Sequence, residues 1–125
     1  MTLADYLRTP MIQGESCGEW VARWLDVSGI APGLRSLLSR STIDAVRAQG
    51  GPAVTAYAAR VLHLHDFVPC APGAVERGAP VVALTELGPT IGIAAGDGRT
   101  ICRTARGSIA RRWPVIAAWS APCRN

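Results

Sequence analysis

The chain has 125 residues, 49% of them hydrophobic, which suffices for one modest core and so for a single domain spanning 1–125. Its net charge of +4 comes entirely from arginine, because lysine is absent, and the arginines are scattered from Arg8 to Arg124 with only Arg111 and Arg112 adjacent. Charge spread in this way argues against a nucleic-acid surface and leaves docking on an acidic partner open, and no run approaches the roughly 20 apolar residues that span a bilayer.

In chain order, the first half reads helical. Thr2 can cap a short helix through Leu7, closed off by Pro10. Ser16 is the next N-cap, with Glu19 three residues on as in a capping box, and Cys17, Trp20, Val21, Trp24 and Leu25 fall on one helical face that ends before Gly29. Ser41 or Thr42 can cap a third helix that stops before Gly50-Gly51, and Pro52 opens a fourth running to about His63. Val54, Tyr57, Ala58, Val61 and Leu62 keep its helical period. Between Asp66 and Pro80 the chain is rich in proline and glycine and reads as an irregular connection.

From Pro80 the pattern turns to strands. PVVALTEL, TIGIAAG, RTICRTA and SIARRWPV are short, β-branched and separated by turn residues, with Gly96-Asp97-Gly98 as a hairpin turn and AAWSAP as a last short strand. Segregated helices and hairpin-linked strands predict an α+β fold, with N-terminal helices on one face of a small four- to five-stranded antiparallel sheet.

Four cysteines, Cys17, Cys70, Cys102 and Cys123, lie far apart, with no Cys-x-x-Cys and no Cys/His pair at zinc spacing. No metal site and no cofactor are therefore expected. MTLADYLRTP has neither a basic start nor a long apolar run, so synthesis in the cytosol without a signal peptide and reduced thiols are expected. Trp20, Trp24, Trp113 and Trp119 are expected as core and interface anchors, because so small a domain cannot bury every indole.

A cysteine on the first turn of a buried helix, ahead of a small antiparallel sheet, is the layout of papain-like enzymes. The segment GESCGEWVARWLD resembles the Gly-x-Asp-Cys helix start of the NlpC-type cell-wall cysteine peptidases, and more narrowly the short domain of that kind encoded among tail genes of tailed phages and gene transfer agents. RGAPVVAL stands where that family has Arg-Gly-Asp-Val-Val, GPTIGIAAGDG where it has Gly-x-His-Val-Gly-Ile, and RGSIARRWPVIAAW is similar to the closing strand of the phage group. The resemblance covers nearly the whole chain. It aligns Cys17 with the nucleophile, places Ser16 where an acidic neighbour is usual, and places Thr90 where active members carry the general-base histidine.

A threonine hydroxyl is far too weak a base to take a thiol proton at neutral pH. Near TICRTA, where the third, orienting polar residue of the family falls, no histidine or amide stands in. His63 and His65, in VLHLHDF beside Asp66, are the remaining imidazoles; alternation would put both on one side of an extended segment, available as a substitute base, or they mark a polar helix end. Cys17 then reads either as an inherited but inactive position or as a working nucleophile. The resemblance implies a structural component of a phage-type tail tip or baseplate, made in the host cytoplasm and carried in the virion in contact with the tail hub and neighbouring tail-tip proteins. The alternative is an active peptidoglycan-degrading cysteine peptidase acting during genome delivery.

Overall fold

The computed structural model describes residues 1–122; Cys123 and Arg124 lie outside them. Helix α1 (Leu3–Arg8) starts from a reciprocal capping box, Thr2 with Asp5, and buries Leu3 and Tyr6. Helix α2 (Cys17–Val27) begins in the same way: the Glu19 N–H donates to Ser16 Oγ at 3.1 Å and the Ser16 N–H donates to Glu19 Oε1 at 3.0 Å. Its apolar face, Trp20, Val21, Trp24 and Leu25, is almost wholly withdrawn from solvent. The Tyr6 ring lies 5.6 Å from Trp20 and 5.4 Å from Trp24, centroid to centroid, while the Tyr6 hydroxyl donates to the Trp20 carbonyl at 2.6 Å. The two capping boxes thus fix two short helices whose aromatic faces interlock.

After a short 3-10 turn (Leu34–Leu37), helix α3 runs Arg40–Gln49. Its cap is Ser39, whose side chain accepts from the Thr42 N–H at 3.2 Å, so Ser41 and Thr42 fall inside the first turn and do not cap it. Gly50, at φ +99°, turns the chain into α4 (Gly51–Leu64), with Pro52 in the first turn as the sequence predicts.

Six strands follow: β1 (Val68–Cys70), β2 (Pro80–Thr85), β3 (Gly88–Ala94), β4 (Thr100–Thr104), β5 (Gly107–Arg111) and β6 (Val115–Ser120). They form one antiparallel sheet in the order β1-β6-β2-β3-β4-β5. The fold is therefore α+β, with four helices and a six-stranded sheet where four to five strands were expected. The additional strand is β1, inside the segment read as irregular. Pro69 hides it, yet proline is tolerated at a sheet edge, and β1 pairs only with β6, through Val68↔Ser120, Pro69↔Trp119 and Cys70↔Ala118.

Val82, Ile93, Ile101 and Trp119 join Trp20, Val21, Trp24, Leu25 and Leu62 in one core between sheet and helices. The opposite face carries a smaller cluster, Val81, Ala94 and Ala118, against which Cys70, Val75 and Val115 pack. Trp24 Nε1 donates to the Gly78 carbonyl at 2.7 Å, tying α2 to the segment that leads into β2.

One feature of the sheet positions the site. β3 pairs with β2 along its whole length but with β4 only at Ile93↔Ile101 and Ala94↔Thr100. Beyond Ile101, Cys102, Arg103 and Thr104 pair with β5 alone, so β3 and β4 diverge and the head of α2 meets β4 there. At the base of the divergence the strands press together. A Cβ on Gly92 would stand 2.7 Å from the Ile101 carbonyl oxygen, 2.7 Å from Thr100 Cγ2 and 2.9 Å from Cys102 Sγ, so only glycine fits.

Candidate functional site: a masked thiol at the head of α2

Cys17 is the first residue of α2 and borders a half-open cavity of about 520 Å³ lined by α2, the 3-10 turn, α3, α4 and the splayed end of β3. The Ser16–Glu19 box fixes the helix start. At Gly18 α2 packs against β3, and a Cβ there would meet Ile91 Cγ2 at 3.8 Å, an ordinary contact.

The Cys17 thiol donates to the carbonyl oxygen of Arg103 at 3.7 Å. Its surroundings pull its acidity in opposite directions. Burial raises the pKa and is the largest effect; the positive charges of Arg103 and Arg47 and local backbone hydrogen bonds lower it, and the balance lies above the ordinary thiol value. A helix N-terminus favours a thiolate, but here desolvation outweighs it. Cys102, on β4, is pushed up to about 12, first by burial and then by Cys17 and Glu86.

No histidine lines the cavity. Thr90 borders it, but its hydroxyl is committed within the β2–β3 hairpin, donating to the Gly88 carbonyl at 3.0 Å and sharing a hydrogen bond with Thr85 Oγ1 at 3.0 Å. His63 and His65 do not sit on an extended segment: His63 is in the last turn of α4 and His65 is its C-cap, so strand alternation does not apply to them. Exposed His63 lies beside Phe67, Pro69 and Trp119 in a separate groove at the far end of α4. The structure thus brings Cys17 and Thr90 to one cavity and leaves both histidines outside it.

Sequence reasoning missed the arginines. Arg103 has its Nε fully buried without a hydrogen-bond partner, while its Nη2 donates to the Ile12 carbonyl at 2.8 Å. A signal was present, since Ile101 and Arg103 share a strand face by alternation and a charge at a core-facing position is unusual. Arg47 lines the cavity from α3 and makes no ion pair among the described residues.

The acidic groups nearby are already engaged. Glu15 is held by Arg23 through two hydrogen bonds of 2.9 Å, with the guanidinium 5.0 Å above the Tyr6 ring. Glu19, buried in the first turn of α2, pairs with Arg35 at 2.8 Å and Arg40 at 3.0 Å. Burial would raise the Glu19 pKa, but the Ser16 backbone N–H, Arg40 and the Ser16 hydroxyl outweigh it and hold the carboxyl below its usual range.

Acyl transfer at Cys17 would need a group to take the thiol proton and return it to the leaving amine. The groups around the thiol are a backbone carbonyl, two guanidiniums, which offer donors and no acceptor, and a threonine hydroxyl. The arrangement can bind and brace. Among the described residues, none of these groups takes a proton from a thiol at neutral pH.

No protein-family model, no curated protein and no solved structure matches the chain. Among the described residues no group of three or more histidine, cysteine, aspartate or glutamate side chains could hold a metal ion, and no helix is long and apolar enough to cross a membrane.

Proposed function

We propose that this chain is a structural component of a phage-type tail tip or baseplate, built on a papain-like, NlpC-like domain that has lost its catalysis. The observation that carries the reading is the Cys17 thiol: it lies on the first turn of a buried helix, where the resembling peptidases keep their nucleophile, and it donates to the Arg103 carbonyl, while Thr90 borders the same cavity in the place where they carry an imidazole. The elevated thiol pKa supports the same reading.

The surface supports a role in contacts. Leu87, at the tip of the β2–β3 hairpin, is 94% exposed, and Leu64 and Val68, where α4 leads into β1, are 72% and 61% exposed. β1 and β5 are the two edges of the sheet. Exposed apolar side chains and sheet edges are the means by which a small protein joins an assembly. The partners proposed are the tail hub and its neighbours at the tail tip, within the virion.

The test is the composition of tail particles. Purified tails analysed by mass spectrometry should contain the chain at fixed stoichiometry, and Cys17→Ala should leave its incorporation unchanged. Absence of the chain from purified tails would overturn the proposal.

A further inference from the structure

The sheet has two open edges, and one of them is better built to accept a strand. β1 is three residues long and contains Pro69, which has no N–H to give, so that edge is blunted. β5 has five residues and no proline, and all five pair with β4 alone. An antiparallel strand with one neighbour leaves the N–H and C=O groups of alternate residues without a ladder partner. Among the described residues, no backbone–backbone hydrogen bond from a turn, loop or cap reaches Gly107–Arg111 to take them up.

The charge around this edge has one sign. Asp97 is the last acidic residue of the sequence, and Arg99, Arg103, Arg106, Arg111 and Arg112 follow it. Arg99 pairs with Asp97 at 2.7 Å, Arg112 donates to the Asp97 carbonyl at 2.9 Å, and Arg103 donates to the Ile12 carbonyl at 2.8 Å. Arg106, in the turn that enters β5, and Arg111, its last residue, are exposed, and their guanidiniums make no hydrogen bond or ion pair among the described residues. Glu86, the acid within electrostatic reach of Arg111, accepts from Trp113 Nε1 through both oxygens at 3.2 Å. The two uncommitted cations therefore bracket the strand, about 16 Å apart at the rise of an extended chain. The same spacing argues against a second copy as the occupant. Two β5 edges paired antiparallel in centred register would set Arg106 of each copy opposite Arg111 of the other, and like charges directly opposite are destabilising.

The geometry points to β5 as a docking edge for an acidic extended segment of a partner protein, which adds a strand through main-chain hydrogen bonds and sets carboxylates against Arg106 and Arg111. This deepens the assembly role proposed above by naming its surface and its partner class, and rests on that reading only for the partner's setting. Binding is read on the isolated chain, so its failure and the absence of the chain from tails are separate results.

The probe is a labelled peptide of about ten residues in which glutamate alternates with valine, followed by fluorescence anisotropy. A lysine-for-glutamate counterpart, the glutamate peptide N-methylated at every residue, and an oligothymidylate are the comparisons. The glutamate peptide should bind saturably and slow amide hydrogen exchange in β5 and the turn before it. Its N-methylated form, which keeps the charge and loses the main-chain donors, should bind at least about tenfold more weakly, and so should the lysine peptide. Arg106→Glu with Arg111→Glu, both at exposed positions, should keep the melting temperature, weaken the glutamate peptide severalfold and strengthen the lysine peptide. No saturable binding of the glutamate peptide up to about 1 mM, equal binding of its N-methylated form, or exchange protection elsewhere in the fold would each overturn the inference. Tighter binding of the oligothymidylate than of the glutamate peptide would also overturn it and mark the edge as a nucleic-acid surface.

Discussion

The Cys17 thiol donates to the Arg103 carbonyl across 3.7 Å, joining the first turn of α2 to the part of β4 that β3 leaves unpaired. This bond fastens the helix head to the sheet, and the burial of the thiol there favours its protonated form.

The first prediction concerns reactivity. With a pKa above the ordinary value of 9.0, the thiolate fraction at pH 7 is smaller than that of a free cysteine. Iodoacetamide should modify Cys17 in the folded protein more slowly than it modifies glutathione, with the rate climbing only above about pH 9. An inflection below pH 7 would indicate an ion-paired thiolate and contradict the arrangement described.

Glu19 links stability to acid. Its folded-state pKa lies below the reference value of 4.5, so its contribution is complete above that value and is lost as pH falls through the lower folded value. Glu19→Gln removes the ion pairs with Arg35 and Arg40 at every pH. It should cost about 1–3 kcal/mol at pH 7, because both arginines can partly rehydrate, and it should flatten the acid limb of a urea midpoint profile measured from pH 7 to pH 3. A variant that loses stability in acid as steeply as the wild type would remove Glu19 from this role.

Trp24 tests the packing of helix on sheet. It lies 5.4 Å from the Tyr6 ring and donates to the Gly78 carbonyl at 2.7 Å. Trp24→Ala should cost about 3–5 kcal/mol in chemical denaturation, and Trp24→Phe, which keeps most of the apolar contact but leaves the Gly78 carbonyl without its donor, about 1–2 kcal/mol.

Gly92 tests the divergence of β3 from β4. Its missing side chain permits an approach that leaves 2.7 Å between a built Cβ and the Ile101 carbonyl oxygen, an atom of the backbone that cannot step aside. Gly92→Ala should destabilise by about 1–3 kcal/mol. Gly73, where a Cβ would meet nothing within 4 Å and the backbone is not left-handed, provides the control for glycine replacement as such.

Legibility in the sequence followed locality. Both N-terminal helices were readable because their starts are written within four residues, Thr2 to Asp5 and Ser16 to Glu19, and because Trp20, Val21, Trp24 and Leu25 repeat at the helical period. β1 was not readable, since a three-residue strand containing Pro69 becomes a strand only by lying against Trp119, fifty residues away in sequence. The α3 cap moved to Ser39 because several hydroxyls compete there and local sequence does not rank them.

The same division holds at the site. Cys17 at a helix head and a threonine at position 90 were visible in single short stretches, whereas their meeting at one cavity is a product of the tertiary structure. The roles of Arg103 and Arg47 were not visible. They follow from the divergence of two strands and the position of α3, which are tertiary events without a local sequence code.

The central claim is that Cys17 contributes contact and not chemistry, and digestion of purified peptidoglycan sacculi tests it most directly. The wild-type chain at stoichiometric concentration should release no soluble muropeptides and should be indistinguishable from Cys17→Ser. Release of cleaved stem peptides by the wild type, abolished in Cys17→Ser, would contradict it.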